Sequence, residues 1–110
     1  MKLCRCQKIK QVKVEADISA DPLWCGRCFS NLDIDYFALP LELKQELKAW
    51  IDDYGKWIDW ENDGIVQGGV SMEQQHNERG ALLTVEVKIA LRDQYDVVFS
   101  PSTFARERSK

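Results

Sequence analysis

The stretch DPLWCGRCF, residues 21–29, carries two cysteines separated by two residues. Such a pair is either a redox dithiol or half of a metal site, and each needs a different setting. A dithiol is activated at a helix N-terminus, where the dipole and free amides stabilise a thiolate, so a strand should precede it and a helix follow. A metal site needs a second set of ligands, brought up by a short return of the chain. The choice decides between a βαβ unit and a group of strands tied by an ion.

The residues after Cys28 favour the metal. Leu32, Ile34 and Tyr36 alternate with Asp33 and Asp35, an extended period and not a helical one. Asn31, Asp33 and Asp35 are also weak helix formers. Trp24-Cys25-Gly26-Arg27-Cys28 resembles the W-C-G-P-C motif of thioredoxins, but Arg27 stands where that motif has proline and the helical context is missing. A second pair, Cys4 and Cys6, lies upstream and gives C-x-C-x18-C-x-x-C. Paired cysteines at about this separation have the spacing of a four-thiolate zinc site. Between the pairs, Val12, Val14, Ala16 and Ile18 alternate with Lys13, Glu15 and Asp17, which predicts a strand over residues 10–19. Asp21-Pro22 reads as the turn that brings the chain back. Gly26 is expected to ease the sharp turn inside the second pair.

Residues 1–30 thus resemble a zinc ribbon, a family in which two cysteine knuckles clamp one Zn²⁺ between short strands. The resemblance implies Cys4, Cys6, Cys25 and Cys28 as ligands of a structural zinc, because four sulfurs leave no open position for water or substrate. The single residue between Cys4 and Cys6 departs from the usual knuckle and leaves room for His76 or another group as the fourth ligand. The rest of the chain resembles small bacterial proteins with a zinc knuckle, a likeness that carries no function.

A chain of 110 residues has the length of one domain. The reading divides it into a zinc-knuckle lobe (1–36), a helical and strand lobe (37–101) and a frayed tail (102–110). No stretch approaches the ~20 apolar residues of a membrane span. The basic residues 1–10 precede no apolar run, so no signal peptide is expected. A cytoplasmic location follows, where thiols stay reduced and cysteines serve metal or catalysis before disulfides. The net charge is −3, with nine Asp/Glu against three Lys in residues 32–71 and six Lys/Arg against three Asp/Glu in residues 1–31. The acidic total weighs against non-specific nucleic-acid binding.

Leu43, Leu47, Trp50, Ile51 and Tyr54 fall at spacings of three and four, and Trp57 and Ile58 continue them past Gly55. They predict a helix over about 40–60, begun by Pro40 at its first position and stopped by Asn62-Asp63-Gly64. Residues 62–70 read as a loop. Ser71 and Gln74 have the form of a capping box for a second helix over about 71–93. Met72, His76, Gly80, Leu83, Val87 and Leu91 share one face of it. Within it LTVEVKIAL, residues 83–91, alternates like a strand, but the cap and the longer stripe favour helix. Residues 95–99 form a short strand stopped by Pro101. The fold class is α+β: zinc-ribbon-like N-terminal strands, two helices and a short C-terminal strand.

No H-E-x-x-H, G-x-S-x-G or phosphate-binding glycine motif is present. The lone His76, on the apolar stripe, reads as a packing residue. The chain therefore reads as non-catalytic. Trp57, Asp59, Trp60 and Glu61 stand out as an acidic and aromatic surface for a protein partner of basic character, since Trp is enriched in binding hot spots and acidic surrounds steer basic partners. The leading function is a zinc-stabilised protein-interaction module of the inhibitor, immunity or adaptor type. Two alternatives stay open: a nucleic-acid-binding zinc ribbon using Lys2, Arg5, Lys8, Lys10, Lys13 and Arg27, and a thiol oxidoreductase using Cys25 and Cys28.

Overall fold

Alternating valines put one short strand at the centre of the sheet. In the computed structural model, which describes Cys4, Cys6 and residues 8–105, the elements are β1 (Gln11–Val14), β2 (Leu23–Cys25), β3 (Asn31–Leu32), α1 (Leu41–Asp52), β4 (Ile58–Asp59), β5 (Gly64–Ile65), α2 (Gly69–Leu91) and β6 (Asp96–Phe99). The architecture is α+β. The main sheet has the order β3-β2-β1-β6. β1 pairs antiparallel with β2, Val12 opposite Cys25, and parallel with β6, Val12 opposite Val97. Parallel neighbours need a long crossover, and α1, the β4–β5 hairpin and α2 all lie within it. Val12, Val14, Leu23, Leu32 and Val97 of the sheet share one core with Leu43, Leu47 and Trp50 of α1 and Leu83, Val87 and Leu91 of α2. That core draws on both parts of the chain that the sequence reading had divided at residue 36.

Several expectations are corrected. The strand expected over 10–19 stops at Val14; Ile18 is exposed and Ser19 has φ 56°. The extended run at Leu32, Ile34 and Tyr36 breaks into a 3-10 turn at Ile34–Tyr36, because the Asp33 side chain accepts the Asp35 N–H at 2.9 Å. Pro40 occupies the N-cap of α1, not its first turn, and its carbonyl accepts the Lys44 N–H at 3.0 Å. α1 ends at Asp52, well short of residue 60. Gly55 adopts φ 88°, a left-handed conformation open to glycine that breaks the helical ladder. Ile58 and Asp59 then pair with Ile65 and Gly64, so the expected loop at 62–70 contains a strand.

α2 begins at Gly69, and the capping box does not form: Gly68 is the N-cap, with no side-chain cap bond. LTVEVKIAL is helical despite its β-branched residues. Leu83, Val87 and Leu91 enter the core, while Leu82, Val85 and Ile89 point outward and are exposed. Met72, expected on the inner face, is 37% exposed, and Glu73 is buried in its place. The tail is held up to residue 105. The Glu73 carboxylate accepts the Ser102 hydroxyl at 2.7 Å and the Ala105 N–H at 2.9 Å. Asn77 and Ser102 exchange two bonds of 2.9 Å. Ala105 is fully buried beside Trp57 and Ile58 in a second small core. Residues 106–110 lie outside the described residues.

The two helices meet at Trp50, His76 and Gly80. The Trp50 indole and the His76 ring stack with centroids 4.6 Å apart and planes 9° apart. The Trp50 Nε1–H donates to the His76 carbonyl at 2.9 Å, and His76 Nε2 lies 2.9 Å from the Trp50 carbonyl. A carbonyl only accepts, so Nε2 carries the proton. Nδ1 is buried and has no hydrogen-bond partner among the described residues. A Cβ on Gly80 would lie 2.6 Å from Trp50 and 2.8 Å from the Phe99 ring.

Two expected outcomes follow from this joint. Gly80→Ala gains about 1 kcal/mol of helix propensity but forces two rings apart, and overpacking of that kind costs about 1–3 kcal/mol. Denaturant unfolding should show a net loss of stability; a gain would place slack at the joint. The second outcome concerns acid. Burial holds the His76 pKa below its ordinary 6.5, against the opposing bond to Trp50. A folded value below the unfolded one means the contribution to stability is full above pH 6.5 and is lost as the pH falls through the folded value. The melting temperature should therefore drop below pH 6.5 more steeply in the natural protein than in His76→Gln, both with equal metal content. Parallel profiles would assign that loss to other groups.

Candidate metal centre and hairpin tip

β2 ends on Cys25, and the chain closes a tight loop there. The Cys25 N–H donates to the Ser30 carbonyl and the Phe29 N–H to the Cys25 carbonyl, both at 2.9 Å. The positive φ that the loop needs falls on Phe29, at 62°, and not on Gly26. Gly26 instead lies close against Gln11. Its N–H donates to the Gln11 carbonyl at 2.8 Å, and a Cβ there would lie 2.7 Å from Gln11 Cγ. Phe29 is 62% exposed, with Lys13 Nζ 4.8 Å from its ring centroid.

The loop aims Cys25 and Cys28 at Cys4 and Cys6. The four Sγ atoms lie within 4.8 Å of one another, and Cys6 Sγ is 3.8 Å from Cys25 Sγ. A tetrahedron with metal–sulfur bonds of about 2.3 Å has edges of about 3.8 Å. None of the four is in a disulfide; Cys4 and Cys25 are buried and Cys6 and Cys28 half-buried. The four cysteines are thus able to hold a metal ion, and the donor set suits a soft or borderline one. Ser30 Oγ, 3.2 Å from Cys28 Sγ, can donate to that sulfur. Burial raises the Cys4 thiol pKa despite the Cys6 backbone, and burial with the Cys25 and Cys28 thiols pushes Cys6 up to about 12. Crowded sulfurs do not ionise readily together, and a divalent cation among them reverses that preference.

His76 lies in the joint between the helices and is not among the grouped donors. The dithiol setting is also missing: after Cys28 the chain enters β3, and the next α-helix starts at Leu41. Of the basic residues considered for nucleic acid, Lys2 and Arg5 lie outside the described residues. Lys8, Lys10 and Arg27 are exposed, while Lys13 is engaged with Glu15 at 3.5 Å.

The acidic and aromatic residues lie on the β4–β5 hairpin and not on a helix. Trp57 is 1% exposed and packs edge-on against Tyr54 at 5.4 Å, which removes it from any surface. Trp60, at the hairpin tip, is 67% exposed and has its ring beside Gly55. Asp59 organises the turn: Oδ1 accepts the Glu61 and Asn62 N–H groups at 3.2 Å, and Oδ2 accepts Asn62 Nδ2 at 2.9 Å. The Asn62 bonds hold its carboxyl below the usual carboxylate range. Glu61 and Asp63 are exposed beside Trp60. Asn62 and Asp63, read as a helix stop, lie in the hairpin's turn, where Asp63 adopts φ 52°, and Gly64 opens β5 opposite Asp59. No helix among the described residues is long and apolar enough to cross a membrane.

Residues 10–102 match the family described as Serratia CdiI immunity protein-like. The matched span includes Cys25 and Cys28 and begins after Cys4 and Cys6. Comparison with curated proteins finds no match. The span runs from before β1 to beyond β6 and contains every strand and helix described above, so the chain belongs to the Serratia CdiI immunity protein-like family.

Proposed function

We propose that this chain is an immunity-type inhibitor. It binds a toxin protein and blocks it by occupancy, without chemistry of its own. The observation that carries this reading is the family match across the whole fold. The hairpin tip supports it: Trp60 is an exposed aromatic anchor with Glu61 and Asp63 beside it, on a turn fixed by Asp59. Such a tip suits a partner with a basic surface and an apolar recess. Cys4, Cys6, Cys25 and Cys28 hold a structural zinc in the reducing cytoplasm, joining the N-terminal segment to the end of β2. The ion supplies folding energy, and the thiolates leave no open position on it.

The binding test is direct. Cells producing a toxin domain recognised by this chain should survive when the chain is co-produced, and the two purified proteins should form a complex. Loss of protection with a folded chain would overturn the inhibitor reading. Trp60→Ala should weaken the complex about tenfold or more and change stability by no more than about 0.5 kcal/mol. A large stability loss with intact affinity would move the contact face elsewhere.

Zinc is tested separately. Protein purified under reducing conditions should carry one Zn²⁺ per chain by elemental analysis. Cys25→Ser should lower both the metal content and the melting temperature, as should a strong chelator. Equal stability with and without metal would reduce the four cysteines to ordinary thiols.

A further inference from the structure

α2 is apolar on two sides. Its inner side, with Leu83, Val87 and Leu91, is in the core, while Leu82, Val85 and Ile89 are 69%, 51% and 62% exposed. A helix that is apolar on both sides is ordinarily covered on both. Glu78, Leu82, Val85, Ile89 and Arg92 follow spacings of four, three, four and three, which places them on one stripe. Glu78 and Arg92 are exposed at its two ends and make no ion pair with another described residue.

The order of these residues identifies the occupant. Glu78 lies seven residues before Val85 and Arg92 seven after it. With a rise of about 1.5 Å per residue, the two charges stand about 21 Å apart with the apolar residues between them. Laid antiparallel on a second α2 about a two-fold axis at Val85, the stripe meets its own complement. Each Glu78 faces the other copy's Arg92, and the apolar block faces itself. A two-fold interface requires this self-complementarity. A partner of different sequence gives no reason for opposite charges at equal distances from the apolar centre.

We infer that the outer stripe of α2, Leu82, Val85 and Ile89 between Glu78 and Arg92, pairs antiparallel with the same stripe of a second copy of this chain. The pairing is independent of the toxin reading. It leaves the β4–β5 tip, on a different element, for another protein.

Sedimentation analysis of the full chain over a hundredfold range of concentration tests it. The mass should rise reversibly from one chain toward two. Val85→Lys should hold the protein as a monomer, with a melting temperature like that of the natural protein measured at the lowest concentration. Glu78→Arg and Arg92→Glu should each weaken association about tenfold, because each brings like charges together. The double variant Glu78→Arg with Arg92→Glu restores opposite charges at both ends and should recover dimerisation. A natural protein that stays monomeric throughout overturns the proposal, as does a dimer indifferent to Val85→Lys. Single-variant losses that the double variant fails to recover overturn the antiparallel register. A monomeric chain whose Val85→Lys variant loses toxin binding would assign the stripe to the toxin instead.

Discussion

β1 is bonded along both edges, and the rest of the molecule is arranged around that fact. Its antiparallel neighbour β2 returns after a short turn. Its parallel neighbour β6 is reached only through a long crossover. Residues 15–95 separate β1 from β6, and they contain both helices and the second hairpin. The four-residue strand stays in place because Val12 and Val14 are fully buried beneath Leu47, Leu83 and Val87 of the same core. Backbone pairing sets the register, and apolar burial of the order of 1.5–3 kcal/mol per large side chain holds it.

The ends of this assembly are tied in different ways. On the N-terminal side the four thiols gather Cys4 and Cys6 against the end of β2. On the C-terminal side the Glu73 carboxylate and the Asn77 amide bind residues 102–105 to α2 and close the second core over Trp57. The second tie includes hydrogen bonds to the buried Glu73 carboxylate, and burial of that acceptor strengthens them. Between the ties, the exposed hairpin rests on buried Trp57 and Ile58. Trp60 is thus presented from a rigid base, and a preorganised side chain loses less entropy on binding.

Much of this was legible in the sequence, and the parts that were not share a physical cause. The cysteine pairs, the α1 stripe at Leu43, Leu47 and Trp50, the helical nature of residues 83–91 and the C-terminal strand could be read because each is a local pattern with a period or a spacing. Helix boundaries were lost where one residue decides them. Gly55 terminates α1 through φ 88° although Trp57 and Ile58 continue the apolar spacing. Those two side chains are apolar because they fill a second core, and a stripe count does not distinguish one core from two. Glu73 was unreadable for a similar reason. A charged residue at the edge of an apolar face looks solvated until the tail that satisfies it is seen to fold back. Gly26 was noticed for the right loop and the wrong reason, since close approach to Gln11 leaves no mark in a sequence.

The alternation in LTVEVKIAL looked like a conflict between helix and strand, and the structure gives it a different meaning. A strand pattern appears there because two apolar faces of one helix interleave in sequence: Leu83, Val87 and Leu91 for the inside, Val85 and Ile89 for the outside. β-Branched residues cost a few tenths of a kcal/mol each in a helix, a small penalty beside burial of Val87 in the core. The same weighing does not account for Val85 and Ile89. They bear the propensity cost and are left in water, so neither helix formation nor the monomer's core explains them. A surface that covers them would, and the opposite charges at its two ends limit what shape that surface can have.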